Sequence, residues 1–392
     1  MAVPAPASIQ TNPLTQLTLA QLRDRTSAKW HKYAPDVLPL WVAEMDVALA
    51  DPIREELERA VSGGDTGYAS GTTYTEALAT FADQRWGWSV SPGQMTTVAD
   101  VITGYTDVLC MLTEPGDQVV VNSPVYPPFY SYLKAAGRQV AEAPLGEDLR
   151  IDFDALDAAF TAATAGGRSA AYLLCSPHNP TGVAHTRAEL ERVAALADRH
   201  GVRVVVDEIH APLVYEGHEF VPYLSVDGGE KGFSLMAASK AWNLAGIPAA
   251  IVIGGRAVQA ELARYATSPH HGPTHFGTLA QTAAYLHGQP WLDALMQGLD
   301  ANRRLLGTLI DEHLAGAVYR QPEATYLTWI DCRPLELDTD PSAHFLEHAR
   351  VAVNSGPTFG TGGAGHVRLN IATHPDIITE AVRRMGASTH RG

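Results

Sequence analysis

The sequence predicts an α/β protein with a mostly parallel sheet flanked by helices, followed by a smaller α+β region. The central part of the chain alternates short, continuous apolar runs with amphipathic stretches, which is typical of strands that helices cover on both faces. From about Trp291 onward the pattern changes to long amphipathic stretches with two isolated apolar runs. The 392 residues, 46% of them apolar, suffice for two or three domains around a large core.

The strands of the large sheet are predicted from apolar runs at residues 117–122, 170–175, 202–206 and 249–253, with a weaker run at 233–237. One helix between these runs has a clear start and stop. Thr186 and Glu189 form a capping box, and apolar residues at helical spacing continue until Gly201. A strand, a helix and a strand at this spacing indicate a βαβ unit.

The C-terminal region is predicted to hold a helix, a strand, a second helix and a second strand, at 292–314, 326–330, 342–349 and 367–371. The apolar segment 38–46 precedes the α/β core and is expected to cross between the two domains. We therefore expect a tail and joining segment at 1–48, a large domain at 49–290 and a small domain at 291–392.

Charge and composition exclude several classes of partner. The chain has 28 lysine and arginine residues against 43 acidic ones, and a net charge of −15 disfavours nucleic acid and anionic membranes. We expect no signal peptide and no membrane span, because no stretch has the required apolar length. The three cysteines, Cys110, Cys175 and Cys332, are too far apart for a disulfide framework, so we expect a cytoplasmic protein.

Polar side chains follow three consecutive core strands. Asn179 follows the first, Asp207 with His210 follows the second, and Ser239 with Lys240 follows the third. In an open α/β sheet, ligands bind at the carboxyl ends of the strands. These residues are therefore expected to meet at one edge of the sheet and to form a site there.

Pyridoxal 5′-phosphate (PLP) carries the chemical groups that these side chains suit. A carboxylate such as Asp207 keeps the pyridine nitrogen protonated, and a lysine such as Lys240 can bind the aldehyde and later accept a proton. Asn179, with or without His210, can hydrogen-bond the phenolic O3′ atom.

The phosphate group of PLP calls for free backbone amides at the start of a helix. Asp100 is a good N-cap for a helix that runs to Thr113, and Val101 and Ile102 would present such amides. Ser239 would add a hydroxyl.

Together these motifs resemble the fold-type I enzymes of the class I/II aminotransferase-like group, and within it the cystathionine β-lyase branch of the MalY/PatB type. The resemblance covers about 330 residues and rests on motifs in family order: LPLWVAEMD (38–46), GY (67–68), EPGDQVVVNSPVYPPFY (114–130), CSPHNPTG (175–182), VVVDEIHAPLVYEG (204–217), SKAWNLAG (239–246) and VRLNIA (367–372). DEIH separates this branch from ordinary aminotransferases, which usually have tyrosine where His210 stands.

The resemblance implies a seven-stranded large-domain sheet, PLP as the cofactor, and a role for each motif residue. Lys240 would be the catalytic lysine, and Tyr126 would stack on the ring face. Arg368 would bind the α-carboxylate of the amino-acid substrate, next to Asn179. Tyr68 would reach the phosphate of the neighbouring subunit, so the resemblance implies a homodimer with shared active sites.

Two positions depart from the family pattern around the phosphate. Many relatives have a hydroxyl residue where this chain has Ala237, and ordinary aminotransferases have arginine where it has Pro248. Fewer side chains are therefore expected to hold the phosphate, so the helix amides and Tyr68 are expected to contribute a larger share of its binding.

Two further motifs suggest sites that we do not predict. His270, His271 and His275 suggest a metal, but the neighbouring proline and glycine residues exclude a regular helix, and a loop at the rim of the active site is the stronger interpretation. The segment Gly360–Gly365 resembles a dinucleotide-binding loop, yet it precedes an apolar run instead of following a strand, so we expect a flexible loop.

The predicted activity is a PLP-dependent lyase that cleaves L-cystathionine or related L-cysteine S-conjugates to a thiol, pyruvate and ammonia. An aminotransferase on the same fold is the first alternative, since fold and cofactor are shared. A lyase of specialised thio-metabolite biosynthesis and a PLP-containing regulatory protein are the others.

Overall fold

The computed structural model describes residues 11–267 and 272–389. Its strands are β1 (Leu38–Pro39), β2 (Met95–Val98), β3 (Gln118–Ser123), β4 (Gln139–Pro144), β5 (Ala170–Cys175), β6 (Arg203–Asp207), β7 (Phe233–Met236), β8 (Ala250–Gly254), β9 (Val318–Tyr319), β10 (Leu327–Asp331), β11 (Val351–Ala352), β12 (Asn354–Ser355) and β13 (His366–Asn370). Its helices are α1 (Leu19–Arg23), α2 (Ala28–His31), α3 (Asp51–Gly63), α4 (Thr73–Trp86), α5 (Val101–Leu112), α6 (Pro128–Ala135), α7 (Phe153–Ala163), α8 (Arg187–His200), α9 (Gln259–Thr267), α10 (His275–His287), α11 (Gln289–His313), α12 (Pro341–His344) and α13 (Pro375–Thr389).

The large sheet has seven strands in the order β2-β8-β7-β6-β5-β3-β4. The five strands from β7 to β4 are mutually parallel, which confirms the predicted mostly parallel sheet. The run at 249–253 differs from this expectation, because β8 is antiparallel to both β2 and β7. Its side chains are buried on both faces all the same, so the apolar pattern could not distinguish the two directions.

Helices cover both faces of this sheet. On one face α5, α6 and α9 pack on alternate strand residues such as Val119 and Leu173, and on the other face α7 and α8 pack on Val120 and Tyr172. The helix α8 begins with the predicted capping box, in which the Thr186 hydroxyl accepts from the Glu189 amide and the Glu189 carboxylate accepts from the Thr186 amide. This layering leaves the carboxyl ends of the parallel strands open at one edge.

The C-terminal region forms a four-stranded antiparallel sheet in the order β12-β13-β10-β9. The long helix α11 packs against α13, and α12 is followed by a wider helical turn at Phe345–Ala349, as the sequence pattern predicted. The division into domains at residues 48 and 290 stays a prediction. In the described part of the chain, no helix is long and apolar enough to cross a membrane.

The segment 38–46, which we call the strap, runs from the N-terminal helices across the C-terminal region. Its first residues pair in parallel with β11, and Leu40 O accepts the Asn370 amide of β13. Its last residue, Asp46, is buried in an ion pair with Lys29 at 2.8 Å and accepts a further hydrogen bond from the Trp30 indole at 2.7 Å. The strap is therefore fixed at both ends.

Candidate active site

A cavity of about 340 Å³ lies at the carboxyl ends of the parallel strands. It is the position at which an open α/β sheet binds ligands. Most of the predicted site residues line it. The lining residues are Ala43, Asp100, Val101, Ile102, Tyr126, Cys175, Asn179, Asp207, Ile209, His210, Ser239, Lys240, Ala245, Pro248 and Ala249.

Lys240 and Asp207 face this cavity from the ends of neighbouring strands. The Lys240 amine donates a hydrogen bond of 3.1 Å to the Ala43 carbonyl of the strap. Burial and the nearby Arg368 guanidinium lower the pKa of Lys240 to about 8, against the opposing effect of Asp207. Burial raises the pKa of Asp207 to about 6, although its Oδ1 accepts a hydrogen bond of 3.1 Å from the Ile209 amide. The site thus holds an amine that loses its proton easily and a carboxylate that lacks a full counter-charge.

Arg368 on β13, in the C-terminal region, lies behind the cavity wall and contacts its lining residue Asn179. Its guanidinium donates to Asn179 Oδ1 at 3.0 Å, to the Trp41 carbonyl at 3.1 Å and to Asn354 Oδ1 at 2.7 Å. Burial lowers the pKa of Arg368 to about 10, and its Nε atom is buried without a hydrogen-bond partner among the described residues. A buried donor without a partner is costly, so it suits an anionic ligand such as a carboxylate.

The hydrogen bond from Arg368 also orients the Asn179 side chain. Because its Oδ1 accepts from Arg368, its Nδ2 is the atom left to donate, and within the described residues it has no partner. The predicted donation to a phenolic oxygen is therefore available, and Asn179 links that position to Arg368.

The start of α5 forms another wall of the cavity. Asp100 caps the helix through the Thr103 amide at 2.8 Å and the Thr103 hydroxyl at 3.0 Å. The amides of Val101 and Ile102 precede the first intrahelical bonds, so they are free to bind an anion. Ser239 lines the cavity as well, and so does Pro248, where the family pattern has arginine.

Tyr126 and His210 complete the predicted set within one chain. Burial and the Asp207 carboxylate raise the pKa of Tyr126 to about 12, so its ring remains a neutral phenol. Burial, followed by the charges of Lys240 and Arg368, lowers the pKa of His210 to about 3. His210 Nδ1 is buried without a partner among the described residues, which leaves this imidazole neutral and incompletely bonded.

Tyr68 does not lie in the cavity of its own chain. Its side chain is 100% exposed, in the turn between α3 and α4. His275, at the start of α10, also lies away from the cavity; its Nε2 atom is 3.2 Å from Asp65 Oδ1. The helix α10 begins only at His275, the last residue of HHGPTH, where the Thr274 hydroxyl caps it. His270 and His271 lie outside the described residues.

The strap contributes contacts that the sequence analysis missed. The Ala43 carbonyl accepts from Lys240 and also from the Tyr326 hydroxyl at 3.1 Å, and the Trp41 carbonyl accepts from Arg368. The sequence predicts that the segment LPLWVAEMD crosses between the two domains. It does not predict these hydrogen bonds, because any residue supplies a backbone carbonyl. Cys175, the last residue of β5, also lines the cavity and was not predicted to do so.

The chemistry of these groups fits PLP. A buried carboxylate without a counter-charge suits a protonated ring nitrogen, an amine of lowered pKa suits an aldehyde, and free amides at a helix start suit a phosphate. The unpaired His210 Nδ1 and Arg368 Nε atoms mark two further positions where the site is incomplete without a ligand.

Comparison with known proteins agrees with this site. Residues 37–385 match the model of the family "Aminotransferase class I and II". The "Putative cystathionine beta-lyase" of Mycobacterium tuberculosis is 53% identical over 96% of this chain and 98% of its own length. The cystathionine beta-lyase PatB of Bacillus subtilis is 34% identical over 92% and 96% of the two chains.

A solved structure extends the comparison to the fold. The crystal structure of cystalysin from Treponema denticola, which contains pyridoxal 5′-phosphate, superposes with a TM-score of 0.88 over 97% of this chain and 98% of that one, at 26% identity. The chain therefore belongs to the class I and II aminotransferase family and, within it, to the cystathionine β-lyase branch of the MalY/PatB type.

Proposed function

We propose that this chain is a PLP-dependent carbon–sulfur β-lyase that cleaves L-cystathionine or a related L-cysteine S-conjugate to a thiol, pyruvate and ammonia. The observation that carries the proposal is that Lys240 and Asp207 line one cavity and that Arg368 bonds Asn179, a third lining residue, in a chain whose relatives include named cystathionine β-lyases.

The first task of the site is to bind and orient the amino acid. Arg368 binds the α-carboxylate, and its bond to Asn179 fixes the plane of the guanidinium. Bound PLP supplies an electron sink for the bond that breaks at Cα. Asp207, buried beside β5, would keep the ring nitrogen protonated by its negative charge, and Tyr126 would hold the ring from one side.

The second task is to move a proton at Cα, and Lys240 performs it. An amine with a pKa of about 8 is partly neutral near pH 7 and can act as a general base without a large loss of driving force. Loss of the Cα proton is followed by departure of the β-thiolate, and the C–S bond breaks with its electron pair on sulfur. Hydrolysis of the remaining enamine carbon skeleton gives pyruvate and ammonia.

The aminotransferase alternative shares every one of these residues, so the products decide between them. His210 in place of tyrosine and Pro248 in place of arginine favour the lyase. Incubation of the purified holoenzyme with L-cystathionine should release pyruvate and a free thiol at equal rates. A keto acid that retains sulfur, formed together with aminated cofactor, would show an aminotransferase instead.

We also propose a homodimer with two shared sites, located in the cytoplasm. Tyr68 of the GY motif is fully exposed in its own chain, and this exposure is best explained if its hydroxyl reaches the cofactor phosphate of the partner. Mixing Tyr68→Phe subunits with Lys240→Ala subunits tests this, since one site of the mixed dimer then carries both changes and the other neither. Activity should reappear at limiting PLP; no recovery despite confirmed subunit exchange would place Tyr68 outside the partner's site.

The free thiols Cys110, Cys175 and Cys332 support the cytoplasmic assignment.

A further inference from the structure

We propose that Glu142 and Tyr130 are positioning residues for substrate binding: they hold the loop Gly360–Gly365 against the large sheet and thereby fix Arg368 for the α-carboxylate. We call this set of contacts the latch. The inference rests on the proposed function, because it assigns the carboxylate-binding role to Arg368. It also gives a role to the glycine-rich segment that is not a dinucleotide site.

The latch joins two parts of the chain that are far apart in sequence. Glu142 lies on β4, the edge strand of the large sheet, and both of its carboxylate oxygens accept from the Thr361 amide at 3.3 Å. Tyr130 on α6 donates to Glu142 Oε1 at 2.6 Å, and its hydroxyl also lies 3.0 Å from the Phe359 carbonyl. Burial and the Glu142 carboxylate raise the pKa of Tyr130, so the hydroxyl keeps the proton that it donates.

Phe359 transmits this contact to the site. Its carbonyl accepts a second hydrogen bond, from the Val125 amide at 2.8 Å, and Val125 directly precedes Tyr126. Its ring is fully buried and lies under the Arg368 guanidinium at 5.1 Å, with Trp329 packed against it at 5.2 Å. One residue therefore supports the carboxylate-binding arginine with its ring and the cofactor-facing turn with its carbonyl.

The close fit of the loop requires glycine at position 360. Gly360 has φ +94°, and a Cβ atom there would lie 2.0 Å from the Tyr130 hydroxyl and 2.3 Å from Glu142 Oε1. Only glycine combines this backbone conformation with such an approach to the two latch side chains. Side-chain contacts from the large domain thus hold the first residues of the loop that the sequence analysis expects to be flexible.

The contacts predict an effect on carboxylate affinity in particular. Loss of the Glu142 carboxylate leaves the Thr361 amide without its acceptor and removes the shorter hydrogen bond of the Tyr130 hydroxyl. The segment that carries the Phe359 ring beneath Arg368 then loses support, while Lys240 and Asp207 lie at the ends of other strands and keep their contacts. Removing Glu142 should thus weaken ligands that carry an α-carboxylate and spare ligands that bind through the amine alone.

Two ligands that differ only in the carboxylate provide the test. L-Alanine and ethylamine are titrated into the holoenzyme, and binding is followed by the absorbance change of the bound cofactor. For Glu142→Ala we expect L-alanine to bind roughly tenfold more weakly, a loss within the range for a charged hydrogen bond, with ethylamine affinity unchanged. Glu142→Gln keeps one acceptor and should recover part of the loss.

Glu147→Ala is the matched control. Glu147 lies a few residues further along, is exposed, and makes no hydrogen bond or ion pair with any described residue, so its removal changes the charge equally. Hydrogen exchange gives a second readout that does not depend on the cofactor. The Thr361 and Val125 amides should exchange faster in Glu142→Ala than in wild type, and should not change in Glu147→Ala. If Glu142→Ala fails to fold, Tyr130→Phe removes the hydrogen bond between Tyr130 and Glu142 and should give the same selective loss for L-alanine, of smaller size.

The outcomes separate the latch from the proposed function. If the wild-type protein responds to neither ligand, the proposed function is wrong and the latch has no carboxylate to serve. If wild type responds to both, and Glu142→Ala weakens both equally or leaves exchange at Thr361 unchanged, the latch alone is overturned. A selective loss for L-alanine together with faster exchange supports it.

Discussion

Replacing Asp207 by asparagine changes the charge of one buried side chain and little of its shape. The asparagine oxygen can still accept the Ile209 amide, which bonds Asp207 Oδ1 at 3.1 Å, so the local backbone should be unaffected. What disappears is the negative charge at the end of β6. The variant therefore tests whether that charge serves the protonated ring nitrogen of the cofactor.

The size of the effect follows from burial. The pKa of Asp207 is raised from 3.8 to about 6, so the surroundings disfavour the charged form by a net amount of about 3 kcal/mol. A site that bears this cost recovers it when a cation binds beside the carboxylate. If the same interaction stabilises the transition state for Cα proton loss, kcat/KM should fall at least about 100-fold in Asp207→Asn.

The assay is pyruvate release from L-cystathionine by PLP-saturated protein, with the cofactor spectrum recorded on the same samples. Glu208→Gln is the matched control. Glu208 lies next to Asp207 but bonds the Ser234 hydroxyl and the Tyr223 amide, and burial raises its pKa to about 8, so it is largely neutral already. A rate for Asp207→Asn within about tenfold of wild type, equivalent to about 1.4 kcal/mol, would refute the assignment.

Three further predictions concern the site and its surroundings. Lys240→Ala should abolish both turnover and the covalent attachment of PLP, seen by mass spectrometry after borohydride reduction; an adduct on the variant would contradict the assignment of Lys240. Because the pKa of Lys240 is lowered to about 8, the neutral amine gains population as the pH rises, so PLP capture by cofactor-free protein should accelerate between about pH 7 and 9; a flat profile would argue against it. His185 is buried with both ring nitrogens unpartnered among the described residues, and burial and then His178 lower its pKa to about 4, so the unfolded chain binds the extra proton and stability is lost as the pH falls from about 6.5 towards 4. His185→Phe should therefore reduce the loss of thermal stability between pH 7 and pH 5 by about 2 kcal/mol, and an unchanged loss by calorimetry would contradict this.

The fold was predictable where the sequence shows both an apolar pattern typical of a strand and polar residues directly after that strand. The run Ala170–Cys175 coincides with β5, and the polar residues after β5, β6 and β7 meet in one cavity because parallel strands present their carboxyl ends together. The direction of β8 was not predictable in this way, since a strand buried on both faces has the same apolar pattern in either direction.

The candidate site was predictable only as far as side chains specify it. Arg368 was found through its motif, but the Trp41 carbonyl that accepts from it is a backbone group that any residue could supply, and so is the Ala43 carbonyl that accepts from Lys240. Likewise, Tyr68 has no described contact to explain it within one chain, because its proposed ligand belongs to a second subunit. Backbone acceptors and residues from a partner subunit thus limit inference from a single sequence.

The strap determines when the site can form during folding. Its carbonyls hold Lys240 and Arg368, and the contact between Trp41 and Arg368 spans 327 positions of the chain. Contacts of such high sequence separation form late, because the entropy cost of closing a long loop comes before the contacts stabilise the fold. The large sheet can therefore assemble on the growing chain before the two donors are aligned. Competence to bind substrate is acquired last, when β13 has joined the strap, whose Trp41 lies 327 positions earlier in the chain than Arg368.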